Sequence, residues 1–313
     1  MDDGEGARLS HRQLTAWRLG AGNSSPIPTP GQIAGSWRQE VVYYPLREGC
    51  RRTGAGTMIV AQISDTHIAL DVQDADRRLA DLAITVDAIN ELIPLPDAIV
   101  HTGDIAHNGR RDEYARAAAV LAKAKVPVYV LTGNRDNRAN LLEAFAGSGY
   151  LPADFGFVQY AVESFPVRLI ALDTQSSGNR GEFCPERLRH FGELVDADIT
   201  KPIAVFTHHP PFEVTEGPHP VHFEDQEAMQ VLRSALHRSG RVVAVFSGHV
   251  HRAAWGDVAG ISAMVMPATT TMLRYGQYPD HLKSLPVYQV HRYDPVFGFA
   301  TETRVAATAA SPC

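Results

Sequence analysis

Five short stretches of the chain gather carboxylate, amide and imidazole side chains at the ends of apolar runs: Asp65-Thr66-His67, Gly103-Asp104, Gly133-Asn134-Arg135-Asp136, Thr207-His208-His209-Pro210 and Gly248-His249-Val250-His251. Asp and Asn oxygens with His nitrogens suit borderline divalent ions such as Mn, Fe, Zn or Co. No Cys belongs to the set, which argues against a structural thiolate zinc site. Two ions roughly 3.5 to 4 Å apart that share a carboxylate are the working parts of many phosphatases and nucleases. Asp104 is the natural bridge, because it stands alone on its loop between clusters that supply terminal ligands. A lone buried histidine is more often a satisfied core residue than a ligand. The ordered set changes that balance, since each motif recurs in the same structural context.

That context is a strand end. Residues 58–64, 98–101, 126–131, 203–207 and 242–247 are short runs rich in β-branched residues and bounded by Gly or Pro, the pattern of strands buried on both faces. Helical spacing of apolar residues predicts helices over 77–92, 111–123, 138–145, 185–195 and 224–237. From Val158 onward the pattern turns to consecutive strands, among them 167–172, 261–266, 287–290 and 299–303. In open α/β sheets ligands bind at the carboxyl ends of the strands, so the five clusters are expected to meet in one crevice. Asp136 reads as a loop-capping residue beside Asn134, His101 and His107 as supporting residues near Asp104, and Asp173 as a loop former.

Taken in order, DxH, GD, GN, H and GHxH, these motifs resemble the calcineurin-like metallophosphoesterase superfamily, and within it the bacterial class III cyclic-nucleotide phosphodiesterases and related glycerophosphodiesterases. The resemblance runs from about Met58 to about Arg304. It implies an α/β fold, a two-sheet αββα sandwich with the sheets face to face and helices outside. It also implies two divalent metal ions, the first held by Asp65, His67, Asp104 and His251 and the second by Asp104, Asn134, His208 and His249. His208 holds the first place of the family's His-x-Pro pattern, which leaves His209 as a neighbour in reach of phosphate. The implied reaction is phosphodiester hydrolysis by a hydroxide bridging the metals, with Asn134, Arg135 and His209 around the phosphate. Arg135 departs from the pattern, which most often has His there. A guanidinium stays protonated and is a poor general acid, yet it can clamp phosphate oxygens.

The implied substrate is a small phosphodiester, a cyclic nucleotide first and a glycerophosphodiester or another small diester or monoester second. A non-catalytic scaffold of the same fold is the contrasting reading, and such a scaffold is expected to have lost ligands. Two loops, 212–223 and 273–281, carry aromatic and His residues, including Tyr275 and Tyr278, that could stack a base.

Composition bounds the rest. With 313 residues, 44% of them hydrophobic, the chain can bury a sizeable core. No apolar run approaches the roughly 20 residues of a membrane span. A net charge of -6 gives no support to nucleic-acid polymers or anionic membranes as partners. Cys50, Cys184 and Cys313 are few, odd in number and far apart, which reads as a reduced, cytoplasmic setting. A homodimer is left open. Residues 1–57, with Ala21-Gly22-Asn23-Ser24-Ser25-Pro26 and further prolines, read as a flexible N-terminal extension, and 58–313 as the metallophosphoesterase domain. Within the extension Val41-Val42-Tyr43-Tyr44 is an edge-strand candidate that would tie it to the domain.

Overall fold

Valine, isoleucine and alanine runs make the central strands, and in this computed structural model they are buried on both faces. The structure describes residues 42–44 as backbone, and residues 56–152, 154–215 and 222–307 in full. In chain order the elements are β1 (Val42–Tyr44), β2 (Met58–Ile63), α1 (Ala75–Asn90), β3 (Ala98–His101), α2 (Arg111–Leu121), β4 (Val128–Val130), α3 (Arg138–Ala144), β5 (Tyr160–Val162), β6 (Arg168–Leu172), α4 (Pro185–Asp196), β7 (Ile203–Thr207), α5 (Gln226–Arg238), β8 (Val242–Ser247), β9 (Ala254–Val258), β10 (Ile261–Val265), α6 (Asp280–Lys283), β11 (Val287–Asp294) and β12 (Gly298–Val305).

They form two six-stranded mixed sheets, ordered β1-β12-β11-β2-β3-β4 and β5-β6-β7-β8-β10-β9. Strands β2, β3 and β4 are parallel, as are β6, β7, β8 and β10, while β5 and β9 close the second sheet as antiparallel edges. Alternation along β7 shows the layering. Ala204 and Phe206 join the core shared with the first sheet, whereas Ile203 and Val205 pack with Phe191 of α4 and Leu232 of α5. Leu82, Val86 and Ile89 of α1, with Ala117 and Leu121 of α2, cover the first sheet. The result is the expected αββα sandwich. No helix among the described residues is long and apolar enough to cross a membrane.

The helices that follow the site loops start on side-chain caps. Asn137 accepts the Asn140 N–H at 3.0 Å ahead of α3, and Glu113 accepts the Arg110 N–H at 3.0 Å ahead of α2. Strand β1 pairs antiparallel with β12, Val42 opposite Thr301 and Tyr44 opposite Phe299, as the edge-strand reading of that segment expected. The rest of residues 1–55, Cys50 and Cys313 lie outside the described residues. One local expectation fails. Asp173 is no simple loop former: it is fully buried at the end of β6, where its carboxylate takes Arg138 at 2.7 and 2.9 Å and the N–H groups of Val158 and Gln175 at 2.9 and 3.0 Å. A carboxylate in so dry a place persists because every lone pair is matched.

Candidate metal centre

The candidate ligands follow the ends of five strands, and the chain turns sharply as it leaves three of them, β2, β3 and β8. Asp65 follows β2, Asp104 follows β3, Asn134 follows β4, His208 and His209 follow β7, and His249 and His251 follow β8. Positive φ values of 53°, 44°, 52°, 75° and 57° at Asp65, His67, Asp104, His249 and His251 fold these side chains back across the strand ends. The loops hold one another through their backbones: Asp65 N–H donates to Gly103 O at 3.0 Å, His67 N–H to Asp104 O at 2.9 Å and Gly248 N–H to His208 O at 3.0 Å. Two glycines make this approach sterically feasible. A Cβ at Gly133 would strike the Asp104 carboxylate and the His208 ring, and one at Gly248 would strike Ser64 and Asp65.

Two groups of donor atoms result. In the first, His67 Nε2 lies 3.3 Å from Asp104 Oδ2 and 3.1 Å from His251 Nε2, and His251 Nε2 lies 3.3 Å from Asp65 Oδ1. In the second, Asn134 Oδ1 lies 3.1 Å from His208 Nε2 and 3.0 Å from His249 Nδ1, with Asp104 Oδ1 3.6 Å from His208. Donors about 2.1 Å from one ion stand about 3.0 Å apart in an octahedron and about 3.4 Å apart in a tetrahedron, which brackets most of these spacings. The set therefore fits divalent ions, and Asp104 turns one oxygen toward each group. His209 lies with His208 and His249, one ring nitrogen from each within 4.8 Å of the others.

Hydrogen bonds outside the two groups fix which nitrogen faces inward. His208 Nδ1 lies 2.8 Å from the Thr102 carbonyl and His251 Nδ1 3.0 Å from the Leu273 carbonyl. A carbonyl only accepts, so both Nδ1 atoms carry a proton and Nε2 is the nitrogen that each ring turns toward its donor group. Asp136 binds no donor group. Its carboxylate instead accepts the N–H groups of Gly133, Ile105 and Ala106 and the Tyr114 hydroxyl, which ties the Asp104 and Asn134 loops together. His101 holds the Thr66 hydroxyl at 2.9 Å.

The electrostatics suit cation binding. Burial, with the nearby Asp65 and Asp136 carboxylates, pushes Asp104 up to about 7 against the pull of His208. Burial also works against the Asp65 anion, yet His251, His208 and His67 hold that carboxyl well below the usual range. Burial and the neighbouring rings push His67, His209 and His249 far down, so they are neutral, the form that ligates.

Arg135 is exposed, and its backbone N–H donates to Asp104 Oδ1 at 2.8 Å. His209 is buried against Thr174, whose hydroxyl lies 2.9 Å from Nδ1. Of the two loops flagged for aromatics, Tyr275 stacks on His251 at 5.8 Å with an 18° tilt and is 44% exposed. Tyr278 packs under Arg274 at 4.2 Å instead. In the 212–223 loop the flagged His222 stands 5.6 Å from His249; Pro218, His219 and Pro220 lie outside the described residues.

The fold and site define a class. The chain belongs to the calcineurin-like phosphoesterase family, whose sequence profile matches residues 58–253. It is 29% identical over 261 residues to a probable glycerophosphodiester phosphodiesterase, GpdQ, of Arcobacter nitrofigilis, covering 79% of this chain and 92% of that one. It is also 29% identical over 224 residues to a cAMP/cGMP dual specificity phosphodiesterase of Mycobacterium tuberculosis, 67% of each chain. A dimetal phosphatase from Danio rerio superposes with a TM-score of 0.54 at 16% identity, covering 80% of this chain and 99% of that one, a likeness of fold.

Proposed function

We propose that the chain is a metal-dependent phosphoric diester hydrolase that acts on a small phosphodiester, a cyclic nucleotide in the first reading. The carrying observation is Asp104, which presents one carboxylate oxygen to each of two adjoining donor groups. Asp65, His67, Asp104 and His251 would hold one divalent ion, and Asp104, Asn134, His208 and His249 a second. Such ions supply Lewis acidity to phosphoryl oxygens and make a water acidic enough to act as nucleophile near neutral pH. Arg135, exposed beside Asp104, clamps a phosphoryl oxygen and offsets charge there, a role that a guanidinium fills better than that of proton donor to the leaving group. His209 contributes a hydrogen bond from the buried side of the site. The base of a cyclic nucleotide would lie against Tyr275, which supports this substrate.

A glycerophosphodiester is the second reading, supported by the relative so named that this chain matches over 92% of its length. The deciding experiment assays metal-stripped and metal-reloaded protein, with Mn, Fe, Zn or Co, against cyclic nucleotides, glycerophosphodiesters and monoesters. Metal-dependent turnover of a cyclic nucleotide above the others is expected. Preference for a glycerophosphodiester selects the second reading, and no turnover with any ester under any metal leaves only a scaffold.

A further inference from the structure

His107 belongs to neither donor group, yet it stands against one of them. Its ring packs edge-on to His67, centroids 5.6 Å apart, and it is less buried than the 3% exposed His67. The buried Arg78 lies behind both residues: its Nε donates to Asp74 at 2.9 Å, and its Nη1 lies 3.2 Å from the His67 carbonyl and 3.2 Å from His107 Nδ1. Arginine has donors and no acceptor, so His107 Nδ1 offers its lone pair. In the neutral ring the proton then sits on Nε2.

A nitrogen that carries a proton cannot ligate a cation. It can donate. Among the described residues the one ring hydrogen bond of His107 is that of Nδ1, and the loop of the exposed Arg135 packs against its own loop: a Cβ at Gly109, two residues on, would lie 3.2 Å from the Arg135 carbonyl oxygen. A cationic fork and an imidazole N–H on adjoining loops beside a candidate cation site match the oxygens of a phosphoryl group.

We propose that His107 is a substrate-binding residue, donating Nε2–H to a phosphoryl oxygen that Arg135 also holds. This rests on the phosphoesterase reading, and its probe is inorganic phosphate, which needs no turnover. The metal-loaded full chain is compared with His107→Leu, which removes the donor, and His107→Gln, whose amide nitrogen falls near the Nε2 position. Phosphate affinity and kcat/KM should fall about ten- to hundredfold in the leucine variant, as for a lost bond to a charged group. Metal content should not change, and glutamine should restore most of the loss. Should the leucine variant not fold, His107→Asn, whose amide stops short of that position, takes its place. Unchanged phosphate affinity, a glutamine variant as weak as leucine, or loss of metal would each overturn the proposal, the last by making His107 a prop for His67. Weakened phosphate binding in a protein that hydrolyses no diester would sink the diester reading and leave His107 in place.

Discussion

Left-handed backbone at a residue with a side chain is costly, about 1 to 2 kcal/mol, and Asp and His tolerate it better than most. Of six such residues among the described ones, five lie in the proposed ligand set and the sixth is Ala259. Strain concentrated this way persists because the loop backbones hold one another, and it aims the donors inward. His251→Gly and His251→Ala should therefore both weaken binding of an ion, while in metal-free protein the glycine variant is the more stable by about 1 kcal/mol. Denaturant melts of the two variants check this; an alanine variant of equal stability would remove strain from the account. At this scale the sequence was most legible, since ligand types and their glycines are local. Asp136 could be read as a loop cap from its neighbours. Asp173 could not, because Arg138 and Arg187 reach it from separate helices.

Strands made of nearly continuous apolar runs, β2, β3, β7 and β8, were readable almost to the residue, because strands covered on both faces leave few polar positions, Gln62 inside β2 and the last residues of the other three. The edge strand β9 was not. Its Ala-Trp-Gly-Asp-Val alternates half-buried and exposed positions, with Gly256 packed on Phe212 and Trp255 40% exposed. The loop after β10 was legible as a loop with aromatics, but its anchoring was not, since long-range partners hold it. Buried Asp81 of α1 takes the Thr271 N–H and hydroxyl, each at 2.7 Å, and the Tyr275 N–H donates to His251 O at 2.9 Å. That anchoring makes Tyr275 a fixed platform. Tyr275→Ala should raise KM for cyclic nucleotides by about tenfold, in keeping with the 1 to 3 kcal/mol of base–aromatic stacking, and spare glycerophosphodiesters. Steady-state kinetics on both substrates checks it, and an equal loss on both would mean that Tyr275 only supports His251.

Both sheets and their helices exist to bring distant strand ends within a few ångströms, from Asp65 near the start of the described domain to His251 almost two hundred residues on. Placing buried carboxylates and imidazoles together in this way costs stability in the metal-free protein. Asp104 is raised to about 7, so the stability that its protonated form gives the metal-free protein is present below the unfolded value of 3.8 and is lost as pH rises through about 7. Cations bind the ionised form and release the proton. Added divalent metal should thus raise Tm more at about pH 8 than at about pH 6, and an equal rise at both would contradict a metal held by Asp104. The most direct measurement is elemental analysis of purified wild type and Asp104→Asn alongside diester turnover. The account predicts about two ions per wild-type chain, with metal and kcat falling together in the variant because both donor groups lose a shared charge. An asparagine variant that keeps two ions and full turnover would contradict it.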